Sequence, residues 1–219
     1  MSGQVVTRSD MVEWMEADGQ ASVETLPCQN WRRMNVVVAE QGSAQIHAEL
    51  ADFHLLELHH SGRHYTEMHS ETEQGDYLSA DILPGSLSYV QCRREVEQST
   101  EGLSTLQQFY IDQSVFADVA YSAAKGDPDT VRLLAFQGEF DPDLKALLNS
   151  VLDEARLGAP GGELYADLLA QQIALHIVRR NLAGKEWILP VFALSGAQLA
   201  RVIEFMDANL KGGKGLNDL

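Results

Sequence analysis

LQQFYIDQSVFADVA, residues 106–120, is where the chain changes its period, and reading it decides the fold. Up to Ile111 the stretch reads as the end of a strand, LSTLQQFYI. Asp112 then offers an N-cap, and Val115, Phe116, Val119 and Ala120 follow at the spacing of one helical face.

Working back from this junction, the segments are short, rich in β-formers and separated by turn residues. NVVVAE, AQIHAELADFHLLELHH, HYTEMHS, DYLSADI and SLSYVQC are broken at Gln41-Gly42, Ser61-Gly62, Gln74-Gly75 and Pro84-Gly85. That spacing predicts an antiparallel barrel or sandwich.

Working forward, the period is helical. VRLLAF reads as a short extended stretch. Asp141-Pro142 then open a helix with Leu144, Leu147, Leu148, Val151 and Leu152 on one face, because Asp suits the cap and Pro the first turn. Gly158 and the loop GAPGG end it. A second helix is predicted from about Glu163 to Asn181, with Leu164, Leu168, Leu169, Ile173, His176 and Ile177 near one stripe. Leu175 and Val178 widen that stripe, which fits either a two-sided core helix or a dimer seam. NLAGKEWILPVFA breaks the period and reads as a linker. In the last stretch Ser195 and Gln198 make a capping box for a helix carrying Leu199, Val202, Ile203, Met206 and Leu210, which Gly212 and Gly213 end.

The net charge of −16 repels phosphate, so this chain on its own is not expected to grip nucleic acid. Arg32-Arg33, Arg93-Arg94 and Arg179-Arg180 are isolated pairs and read as solvated surface. No apolar run approaches the roughly 20 residues that span a bilayer, and MSGQVVTRSD lacks the apolar core of a signal peptide; a cytoplasmic protein without a membrane partner is expected. Cys28 and Cys92 read as reduced thiols.

The order of parts resembles the AraC/XylS family of bacterial transcription regulators. The resemblance rests on LQQFYIDQSVFADVA, on FDPDLKALLNSVLDEARLGAPGGELYADLLAQQIALHIVRRN and on LSGAQLARVIEFMDANL. It implies an α+β chain: an N-terminal arm over 1–25, a cupin-like, jelly-roll-like antiparallel β-barrel receiving an effector over 26–111, and an antiparallel helix pair for dimerisation over 112–182. A linker over 183–193 and the first helix of a helix-turn-helix DNA-binding domain over 194–219 would follow. The rest of that domain is expected to be missing, so that DNA would be reached only through it. The family's dimer helix matches ELYADLLAQQIALHIVRRN, which puts Leu168, Leu169 and Gln172 in a homodimer interface, with Leu164 and Leu175 beside them.

Position alone nominates His60, His64, Tyr65, Tyr89, Gln91 and Trp14 or Trp31 as contacts of an unidentified small-molecule effector. Six of the seven histidines lie between His47 and His69, which raises a metal-dependent cupin enzyme as the alternative. Alternation along the strand argues against it. His54 and His60 share a parity with Leu56 and Leu58, whereas His59 faces the other way beside Glu57. The paired histidines of the enzyme cupins are absent around Arg63-His64-Tyr65-Thr66, and SLSYVQC after Pro84-Gly85 has no histidine. There is no GxSxG elbow, phosphate loop or CxxC pair, and the acidic runs at 71–73, 127–129 and 141–143 read as turns and caps. The expectation is a non-enzymatic sensor without cofactor or metal.

Overall fold

A computed structural model describes residues 4–10, 21–62, 64–70, 77–93, 95–123 and 133–182. The chain divides into two units, 1–185 and 186–219, and every described residue belongs to the first. The expected linker, the terminal helix and the start of a DNA-binding domain lie outside the described residues.

The strands form two sheets. In the five-stranded sheet the order is β1 (Gln4–Val6), β4 (Ala44–Leu50), β9 (Glu95–Glu101), β6 (His64–Ser70) and β7 (Tyr77–Ile82). Only β1 and β4 pair parallel there. The six-stranded sheet is antiparallel throughout and runs β11 (Phe136–Glu139), β8 (Leu87–Val90), β5 (Phe53–Gly62), β10 (Ser104–Asp112), β3 (Met34–Gln41) and β2 (Ala21–Glu24). The described strands therefore make an α+β fold with two sheets, rather than one closed barrel. The segment read as AQIHAELADFHLLELHH is two strands, split at Ala51-Asp52 so that β4 and β5 enter different sheets. Parts of the expected arm are built in as well, since β1 and β2 are edge strands of the two sheets.

Period 2 explains how the six-stranded sheet builds two cores at once. On one face Val36, Val38, Leu56, Leu58, Leu87, Tyr89 and Phe109 pack against the helices; on the other, Val37, Ala39, Phe53, Leu55, Val90, Leu106 and Tyr110 pack with Val6, Ala48 and Leu50 of the five-stranded sheet. Val36, Val37, Val38 and Ala39 are apolar at every position because β3 is buried on both faces there.

The helices begin where their caps lie. Asp112 accepts from the Ser114 N–H at 2.8 Å and starts α1 (Gln113–Ala123). Asp141 accepts from the Leu144 N–H at 3.0 Å and starts α2 (Pro142–Arg156), with Pro142 in its first turn. Gly158 follows the end of α2 at φ +79°, and α3 runs Gly162–Leu182. Buried Glu154 fixes the loop between them by accepting from the Gly161 N–H at 2.5 Å. No helix among the described residues is long and apolar enough to cross a membrane.

Candidate functional site

The central strand β5 sorts its polar residues onto two faces. His54 points toward the helices, where its ring stacks 3.9 Å from Phe116 and its Nδ1 lies 2.8 Å from the Tyr89 hydroxyl. Burial lowers its pKa to about 3, against the opposing pull of the Asp112 charge, so the ring is neutral. Tyr89 is wholly buried there, with Phe136 beside it at 5.7 Å between ring centres. This group joins the sheet to the helices.

Glu57 and His59 leave β5 on the opposite face, between the sheets. Register places Glu57 directly across from Ser88 on β8 and from Gln108 on β10, which makes a polar row of three residues across three strands. Gln108 Nε2 donates to Glu57 Oε1 at 2.7 Å, and the Tyr110 hydroxyl donates to Gln108 Oε1. His59 Nε2 lies 3.1 Å from Ser88 Oγ. Burial holds the Glu57 carboxyl above its ordinary range, against the Gln108 hydrogen bond, which favours the ionised form. Burial likewise pushes the Tyr110 phenol well up, and the Glu57 charge adds to that. On the same face of β10, Ser104 is buried with no hydrogen-bond partner for its hydroxyl among the described residues. No lysine or arginine is buried among the described residues.

The described residues among those nominated from sequence fall in different places. Trp31 and Tyr89 belong to the helix-side core rather than to the face between the sheets. His60 and Tyr65 are exposed, and Gln91 is buried just past β8. The side chain of His64 and the whole of Trp14 lie outside what the structure describes. The polar row of Glu57, Ser88 and Gln108, with Tyr110 and His59, was missed. Its signal was available: a glutamate inside LLELHH and a glutamine pair inside LQQFYI are polar residues in strands covered on both sides.

Among the described residues no three His, Cys, Asp or Glu side chains form a set that could hold a metal. Cys28 and Cys92 are free and half-buried. Two arginines expected to be simply solvated are used as ties between elements. Arg33 bridges to Asp118 of α1 at 2.6 Å, and Arg180 pairs with Glu139 and lies 4.3 Å over the Phe136 ring.

On α3 the five nominated interface positions divide. Leu164 is 75% exposed, Leu168 is 47% exposed and Gln172 is also exposed, whereas Leu169 and Leu175 are buried within the chain's own core.

No family model matches the sequence, and no curated protein matches it. Solved structures do resemble it. The AraC-like transcriptional activator CuxR is 12% identical with a TM-score of 0.48, over 93% of this chain and 76% of that one. A cupin superfamily protein from Desulfitobacterium hafniense is 13% identical with a TM-score of 0.34, over 42% of this chain and 78% of that one. The EutQ protein of Clostridium difficile is 11% identical with a TM-score of 0.30, over 36% of this chain and 57% of its own length. None is similar enough to carry a function across.

Proposed function

We propose that this chain is the ligand-sensing and dimerisation portion of an AraC-type transcription regulator, with its two sheets as a cupin-like jelly roll and its effector taken up between them. The observation that carries the reading is the division of α3. One flank, with Leu169, Ile173 and Ile177, is sealed into the chain's own core, while Leu164 and Leu168 stand open one turn apart on the other. Exposed leucines paired at this spacing suit a second copy of the same helix. Dimerisation would set two DNA-binding domains at paired half-sites, and an effector preferring one arrangement of sheets and helices would shift their placement. A cytoplasmic site of action belongs to the same reading.

A metal-dependent enzyme gains no comparable support. His54 and His59, the two buried histidines among the described residues, leave β5 on opposite faces and cannot share an ion.

Light scattering on the wild type and on Leu164→Arg/Leu168→Arg tests the reading. A wild-type dimer that becomes a folded monomer on substitution supports it. A monomeric wild type, or a variant that stays dimeric, removes it.

A further inference from the structure

Among the described residues, the face that the six-stranded sheet turns toward the other sheet carries one buried carboxyl group, Glu57, and the groups around it narrow what could bind there. Among the described residues its hydrogen bond comes from a single neutral donor, the Gln108 carboxamide. The Tyr110 hydroxyl donates to Gln108 Oε1, an arrangement that leaves the NH2 group toward Glu57. A buried carboxylate has room for about four donors and is costly to leave with one. The neighbouring side chains facing it from β8 and β10 are Ser88, Gln108 and Tyr110, none of them cationic, and His59 on its own strand is engaged with Ser88.

An anionic ligand would meet this carboxyl with no lysine or arginine buried among the described residues to offset it. A neutral polyol would add hydrogen bonds but supply no charge to favour the ionised carboxyl over its protonated form. An ammonium group supplies three donors and the missing charge together. The flanking residues on the same face, Leu55 on β5 and Leu106 on β10, are buried and apolar, which suits a hydrocarbon stem.

We infer that the ligand taken up between the sheets is a small alkyl-bearing primary amine, bound as its ammonium ion by Glu57 and oriented by the Gln108–Tyr110 pair. This rests on the reading of that face as the effector site. Burial already favours the protonated carboxyl, so pairing with a cation favours its ionised form and uptake releases a proton.

The test is the melting temperature of the full chain with n-propylammonium, n-propanol or propionate, each at the same concentration and ionic strength, in the wild type and in Glu57→Gln. The expected result is a rise of about 2 °C or more with propylammonium alone, lost in Glu57→Gln. Because a strongly acidic surface attracts cations anywhere, the variant matters: it leaves that surface unchanged. Should Glu57→Gln fail to fold, calorimetry of the wild type in two buffers of different ionisation enthalpy replaces it, and amine uptake without proton release overturns the inference. An equal rise with propanol, an amine response retained in Glu57→Gln, or no response to any probe also overturns it. The mass measurement separates the two readings. A dimer without an amine response loses the ligand class and keeps the regulator, whereas a monomer with a Glu57-dependent response keeps the site and loses the dimer.

Discussion

Leu168 and Leu169 are consecutive in α3 and face different surroundings: Leu168 is 47% exposed and Leu169 is 4% exposed. One residue of a helix turns the side chain by about 100°, enough to take it from the surface into the core. The two leucines therefore respond differently to charge. Leu169→Arg puts a guanidinium against Ile173 and the other residues of the helix-side core, and is expected to cost more than about 3 kcal/mol. Leu168→Arg is expected to change stability by less than about 0.5 kcal/mol in a monomeric background. Urea unfolding of the two variants checks this, and equal losses would mean that both leucines are core.

The features legible in the sequence were those fixed by neighbouring residues. The switch from strand to helix at Asp112 and the start of α2 at Asp141-Pro142 lie where the caps put them, because a cap acts over three residues. Alternation also separated His54 from His59 correctly. Parity gives two faces without saying what covers either, so it could not show that Tyr89 lies under the helices. The contact of Glu57 with Gln108 joins residues 51 positions apart and depends on the register of β5 against β10, which nothing local specifies. The exposure of Leu168 rather than Leu169 likewise depends on where the sheet lies.

Two buried groups on opposite faces of β5 should shape the response to pH in opposite senses. His54 has a folded pKa of about 3 against an ordinary 6.5, so the unfolded chain binds its proton first, and stability falls as pH drops below 6.5. The limiting slope for one such group is about 1.4 kcal/mol per pH unit. Glu57 has a raised folded pKa, so its contribution is greatest below the ordinary 4.5 and is lost as pH rises through the folded value. Above pH 4.5, as far as the folded pKa of Glu57 and no further than 6.5, the two slopes oppose each other. Glu57→Gln should therefore steepen the acid-side loss in that window, and His54→Gln should flatten it. Chemical denaturation from pH 4.5 to 7 decides, and an unchanged profile in both variants would contradict the protonation states assigned here.

The loop between α2 and α3 holds a residue in a conformation that its side chain disfavours. Ala159 has φ +58°, and its N–H donates to the Glu154 carbonyl at 2.8 Å, so the geometry is fixed by the end of α2. A Cβ in this region costs about 1–2 kcal/mol, whereas glycine's extra freedom in the unfolded chain costs about 0.4–1. Ala159→Gly is expected to raise stability by about 0.5–1 kcal/mol, read as a higher urea midpoint with an unchanged slope. Gly158→Ala, at φ +79°, should move the midpoint the other way.

Arg8 fastens the N-terminal segment to the loop that precedes β3. Its guanidinium donates to the carbonyls of Arg32 at 2.6 Å and Trp31 at 3.1 Å and to Asn35 Oδ1 at 3.3 Å, and its backbone N–H donates to Asp52 Oδ1 at 3.0 Å. The same peptide stretch is held from the other side, since the Arg32 N–H donates to Glu163 in the first turn of α3. Three of the four Arg8 bonds are part-buried and one is exposed, so Arg8→Ala should cost only about 1–2 kcal/mol overall. The local effect should be larger than the global one. Val6 is buried, and the Ala51 N–H donates to its carbonyl at 3.0 Å, so β1 has an edge pairing that depends on Arg8 to stay closed. Hydrogen exchange should quicken at Ala51 about tenfold in Arg8→Ala, with β10 exchange tracking the global loss alone. If Ala51 and β10 quicken by the same factor, the segment unfolds only with the whole domain, and Arg8 is not a separate fastening.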